Sequence, residues 1–137
     1  MEGNVPTIVY PEVTITWPKE FADMIETKPK GVVYIAGPFR AKTQWGIMQN
    51  VRNAEDASLR LWKQGYAVIC PHTMTQHFQN ECPDDIWLKG CIELLKRCDA
   101  IYLVHGWRDS EGSIEELKIA KELGLTIMYD EGAKTCL

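Results

Sequence analysis

The sequence predicts a three-layer α/β sandwich, with helices on both faces of a parallel sheet of four to five strands. Two observations carry that expectation. Four unbroken apolar runs of strand length recur along the chain, at Val32 to Ala36, Tyr66 to Cys70, Ala100 to Val104 and Leu125 to Tyr129. Apolar runs without alternation mark strands that are covered on both faces. Helical periodicity fills the intervals between these runs, and a strand–helix–strand alternation implies right-handed crossovers between parallel strands.

Residues 1–30 stand apart from this pattern. Val13, Ile15 and Trp17 alternate as in a strand, and Pro18 opens a short helix through Ile25. The segment reads either as an extra strand or as an oligomerisation arm. Lys28 to Gly31 reads Lys-Pro-Lys-Gly, a cluster that interrupts regular structure, so the main domain is placed at 31–137. Its first helix gathers Val51, Ala54, Ser58, Leu61 and Trp62 on one face, and its second gathers Trp87, Cys91, Leu94, Leu95 and Cys98. The third carries Ile114, Leu117, Ala120 and Leu123 and stops at Gly124, a residue suited to the left-handed turn that ends a helix.

Bulk properties exclude more than they suggest. The 137 residues are 45% hydrophobic and 25% charged, the balance of one ordinary globular core. A net charge of -4 argues against a surface built to neutralise the phosphates of polymeric nucleic acid, whereas a single small nucleotide remains compatible. No run approaches the roughly 18 apolar residues of a membrane span, and the N-terminus lacks the order of a signal peptide. A cytoplasmic protein with no membrane partner is therefore expected. The five cysteines, Cys70, Cys82, Cys91, Cys98 and Cys136, are odd in number and lack CxxC or zinc-finger spacing. They read as reduced, largely buried thiols, and neither a metal nor a cofactor is expected.

In such a fold ligands bind beyond the carboxyl ends of the strands, which directs attention to residues 37–46, 71–85 and 105–113. In the first loop Gly37 lets backbone approach a ligand, Pro38 and Phe39 follow, and Arg40 offers a guanidinium suited to a phosphate. Neither GxGxxG nor a P-loop is present; the plain alternative is a Gly-Pro turn beside a surface arginine. In the third loop Ser113 reads as a helix N-cap, and Ser110 with Gly112 could line an anion site at the positive helix end. Glu116 then falls at the third helical position, where Ser113-x-x-Glu116 is also a capping box. In either role its carboxylate should be ionised at neutral pH. Asp109 either accepts hydrogen bonds from a ligand or is a solvated loop acid. His72 either touches substrate or is an ordinary loop histidine; Trp45, Trp87 and Trp107 are candidates to stack on a base, with Trp87 better suited to the core.

Three stretches resemble one known family: Tyr34-Ile-Ala-Gly-Pro-Phe39, Cys98-Asp99-Ala100, and Ser110-x-Gly112-x-x-x-Glu116-Leu117-x-x-Ala120. Together they look like the nucleoside 2-deoxyribosyltransferase superfamily, above all its nucleotide N-hydrolases and small phage or bacterial members, over roughly residues 32 to 130. The resemblance implies a flavodoxin-like (Rossmann-like) fold, a homo-oligomer, and a glutamate that attacks C1′ of the sugar. Glu116 matches that position, with Glu115 as the register alternative. It further implies Ser110 and Arg40 at the 5′-phosphate and Tyr34 beside the nucleophile. The function it implies is cleavage of the N-glycosidic bond of a nucleoside 5′-monophosphate through a covalent glycosyl intermediate. Base exchange, or nucleotide binding without turnover, are the alternatives. One departure stands out: many relatives carry an acid where this chain has Cys91, and a thiol is the weaker acceptor and proton donor. Asp109, Asp84 or Asp85 are the carboxylates placed to compensate.

Overall fold

The computed structural model describes residues 5–9 and 14–130. Val13, Cys136 and the end of the 31–137 domain lie outside the described residues. The chain divides after Lys30 into two compact units. In the first, strands β1 (Thr7–Val9) and β2 (Thr14–Thr16) pair antiparallel with Ile8 opposite Ile15, and helix α1 spans Glu20–Glu26. Trp17 packs edge-on against Phe21, ring centroids 6.1 Å apart.

The second unit is the expected sandwich. Its elements are β3 (Val32–Ala36), α2 (Gln44–Lys63), β4 (Ala67–Ile69), α3 (Pro71–Met74), α4 (Asp84–Lys96), β5 (Ala100–Leu103), α5 (Glu111–Glu122) and β6 (Thr126–Tyr129). The four strands form one parallel sheet in the order β4-β3-β5-β6. This is the flavodoxin-like, three-layer arrangement. Alternation along the strands assigns the layers. Val33, Ile35, Ala100 and Val104 pack with Ala54, Ala57 and Leu61 of α2. Tyr34, Ala36, Ile101 and Leu103 face the other way, onto Leu95 of α4 and Leu117 and Ala120 of α5. Burying one such Leu or Ile contributes about 1.5–3 kcal/mol.

Three expectations shift in register. The second run shortens to Ala67–Ile69 because Cys70 caps α3 and Pro71 starts it, where a missing N–H costs nothing. Trp62, expected on the inner face of α2, is 52% exposed; the buried stripe is Val51, Ala54, Ala57 and Leu61. On α5 the buried residues are Ser113, Leu117 and Ala120, whereas Ile114 and Leu123 face outward. Gly124 does end that helix, with φ 73°. Cys70 and Cys98 are buried and Cys91 is half-buried; these and Cys82 are free thiols. Among the described residues, no helix is long and apolar enough to cross a membrane.

Candidate active site

The chain leaves β3 for α2 on one face, enters β4, and returns past β3 to β5. Strand order therefore reverses between β3 and β5, and the carboxyl ends after Ala36 and Leu103 are the place where sheets of this kind bind ligands. Gly37 fits closely here against protein: a Cβ at this position would lie 3.0 Å from the Cβ of Val104, which would have to give way. The loop that follows is pinned through its carbonyls. His72 Nε2 lies 3.1 Å from the Gly37 oxygen and 2.9 Å from the Pro38 oxygen. Asn50 Nδ2 donates to the oxygens of Phe39 at 3.0 Å and Arg40 at 3.4 Å. Because a trans peptide directs its N–H opposite to its C=O, the amides of Phe39, Arg40 and Ala41 point away from this clamp.

His72 is thereby assigned a tautomer. Two carbonyls can only accept, so Nε2 carries the proton, and Nδ1 is left buried without a partner. Burial lowers the pKa of the ring, which keeps it neutral. Phe39 packs edge-on against it at 5.9 Å. Arg40 is exposed and its guanidinium pairs with Asp84 at the start of α4. Among the candidate phosphate ligands, it is thus held by a carboxylate that an anion would have to displace.

Helix α5 corrects the sequence reading. Ser110, rather than Ser113, is the N-cap: its Oγ accepts the Ser113 amide at 3.2 Å. Ser113, a residue expected to line the ligand, is buried and donates its hydroxyl to Ser110 Oγ at 3.0 Å. The expected register failed because two cap-competent serines flank Gly112, and composition alone does not choose between them. Gly112 stands in open space at the helix start, where the first amides lack intrahelical acceptors. Changing Ser110 to Ala removes the cap and leaves the buried Ser113 hydroxyl unsatisfied. We expect a loss of about 1–3 kcal/mol in urea unfolding; a change below about 0.5 kcal/mol would remove the cap from this account.

With the cap at Ser110, Glu116 lies in the second turn of α5 and is no part of a capping box. It occupies the inward stripe with Ser113, Leu117 and Ala120, and Tyr34 donates its hydroxyl hydrogen to Glu116 Oε2. Tyr34 is fully buried in mid-β3. The Cys91 thiol of α4 and the same hydroxyl influence each other's titration. Desolvation pushes the Glu116 carboxyl up to about 7, against the lowering influence of the Tyr34 hydrogen bond and of His72. This overturns the expectation of an acid fully ionised at neutral pH: the stabilising helix terminus is too far, and burial decides. Burial, followed by the Glu116 charge, raises the Tyr34 phenol far above its ordinary value, and burial raises the Cys91 thiol.

The remaining candidates separate. Asp109 is exposed at the end of a 3-10 turn, Trp107–Asp109, and Asp84 and Asp85 are exposed at the start of α4. Trp107 is buried, with Tyr129 at 6.1 Å and the Arg108 guanidinium over its ring at 4.6 Å, an environment of the core rather than of an open stacking platform. Trp45 is exposed. Trp87, expected in the core, is half-buried beside Phe78 at 5.8 Å and lines a groove of about 500 Å³ with Met74, Ile86, Leu94 and Cys91. Sequence reasoning did not anticipate the Asn50 clamp, nor Cys91 as a partner of Tyr34. For Cys91 the helix period supplied a signal, since it shares a stripe with Leu94, Leu95 and Cys98. Among the described residues no cluster of His, Cys, Asp or Glu is suited to a metal ion.

Residues 31–129 match the model of the family described as Domain of unknown function (DUF4406). No curated protein matches the chain.

Proposed function

The chain belongs to the DUF4406 family, and we propose that it cleaves the N-glycosidic bond of a nucleoside 5′-monophosphate, with Glu116 as nucleophile. What carries this reading is the Glu116 carboxyl, pushed up to about 7 by desolvation and hydrogen-bonded by the buried Tyr34 of the parallel sheet. A carboxylate so placed is more reactive than one in water, because no hydration shell must be stripped before attack. Glu116 attacks C1′ as the base departs through an oxocarbenium-like transition state, and water then opens the glycosyl ester. Tyr34 holds the attacking carboxylate in one rotamer.

The phosphate falls to the outward amides of the first loop, the open amides at the start of α5 beside Gly112, and Arg40 released from Asp84. Fixing that remote group orients the sugar, which is where binding energy lowers the barrier. The same site chemistry serves base exchange when a second base replaces water. The family resemblance of Tyr34, Arg40, Ser110 and Glu116 to the nucleoside 2-deoxyribosyltransferase superfamily supports this reading, and a net charge of -4 is compatible with a single small nucleotide. A second reading, nucleotide binding without turnover, is favoured by Cys91, which places a weak acid where a leaving base would seek a proton.

The two readings part in one experiment. Ribo- and deoxyribonucleoside monophosphates are incubated with the protein, free base is followed by chromatography, and the denatured protein is weighed by mass spectrometry. Free base together with a sugar-phosphate adduct on an α5 peptide is the expected result. Tight calorimetric binding with neither product nor adduct would establish the second reading instead.

A further inference from the structure

Among the described residues, the groups that act on Glu116 offer neither a strong acid for a leaving base nor a permanent positive charge. Tyr34 directs its one hydroxyl hydrogen at the carboxylate itself. His72 directs Nε2–H at the carbonyls of Gly37 and Pro38, and its unpartnered Nδ1 carries no proton. Cys91 offers only a thiol. Arg40, the guanidinium of the first loop, is exposed and occupied by Asp84. A buried carboxylate whose imidazole neighbour is biased by burial toward its neutral form is electrostatically incomplete, and the ligand best able to complete it is a cation.

We propose that the substrate class is the nucleoside monophosphates whose base is positively charged at rest, such as N-glycosyl pyridinium or N7-alkylated purine nucleotides. The inference rests on the proposed N-glycosidase reading and names its substrate. Such a base needs no proton in order to leave. Glu116 Oε forms a bond to C1′ and the C1′–N bond breaks. The bonding pair passes to the ring nitrogen, whose positive charge it cancels, and a neutral base departs. Water then attacks C1′ of the ester, the ester C–O bond breaks to restore the carboxylate, and the water's proton goes to solvent. The sum is water plus cationic nucleotide giving neutral base, pentose 5-phosphate and one proton.

The groove at Cys91 suits the departing ring. Met74, Ile86, Trp87 and Leu94 give it apolar walls, its rim carries the ion pair of Glu93 and Arg97, and an indole face attracts the flat cation before its bond to the sugar breaks. On binding, the cation also favours the ionised form of Glu116, so substrate prepares its own nucleophile.

Matched pairs test this with the whole chain: 7-methylguanosine against guanosine monophosphate, and nicotinamide mononucleotide against uridine monophosphate. For the cationic member of each pair we expect kcat/KM higher by about 10²-fold, the low end of what a general acid contributes where one is needed. Neutral nucleotides cleaved as fast as their cationic partners, in a reaction abolished by Glu116→Gln, would overturn this inference and leave the glycosidase reading standing. Release of base from no substrate in the panel would overturn both.

Discussion

Replacing Glu116 with glutamine is expected to lower base release from a nucleoside monophosphate by at least about 10³-fold, because a neutral amide cannot form the glycosyl ester. The substitution is conservative in every other respect. Glutamine has the same length, and its amide oxygen accepts the hydrogen bond that Tyr34 donates to Glu116. The phosphate contacts lie on the first loop and the start of α5, at other residues, so KM should change little while kcat collapses. That split separates a nucleophile from a residue that merely supports the fold, whose loss would spread over both constants. In the wild type, the carboxyl pushed up to about 7 gives the pH dependence its sign. Below that value the free protein is protonated and unreactive, so kcat/KM should fall about tenfold per pH unit on the acid side. Steady-state kinetics between pH 5 and 9 checks both statements. A loss under about tenfold on Glu116→Gln would remove the nucleophile from the mechanism.

The architecture was legible because it depends on periods, and periods survive local error. Val32 to Ala36 reads as one unbroken apolar run and forms a strand over those same residues. The runs ending at Cys70 and Val104 lose a residue or two at their ends, and at Cys70 the reason is that it caps α3. The site was legible in its residue types but not in its register. A serine three residues away from another, separated by glycine, gives two equally good caps for α5. The wrong choice moved Glu116 from the buried second turn to the solvated first, and with it the sign of its pKa shift. The buried stripe held the correction, since Ser113, Glu116, Leu117 and Ala120 follow helical spacing, and a glutamate among buried positions signals a displaced pKa. The Tyr34–Glu116–Cys91 cluster was beyond reach in another way. Its members come from β3, α5 and α4, and only the strand order β4-β3-β5-β6 brings their helices over one strand. Asn50 is further still from recognition, because its role is to hold two carbonyls of a loop whose path no periodicity describes.

The same carboxyl should make the fold least stable at the pH where it is most useful. Glu116 has a pKa of about 7 in the folded protein against an ordinary value of 4.5, so between those limits the folded state binds the proton that the unfolded state has released. Stability from this group is fully present below 4.5 and is lost as pH rises through about 7. The difference corresponds to about 3 kcal/mol as an upper figure. Glutamine has no such titration, so Glu116→Gln should match the wild type near pH 4.5 and exceed it in stability by about 2–3 kcal/mol at pH 8. His72, whose pKa is lowered by burial, acts with the opposite sign: its contribution is lost as pH falls. Because the two groups interact, the comparison is read on the alkaline side, where the imidazole is neutral in the folded and the unfolded protein alike. Urea unfolding of the two proteins across this range gives the measurement. Parallel stability curves would mean that Glu116 is solvated in the folded protein, and a solvated glutamate at this position would lack the desolvation on which its reactivity toward C1′ is argued. A gap that opens as pH rises ties the loss of stability to the carboxylate that the chemistry requires, a conflict between fold and function that a purely structural glutamate would not produce.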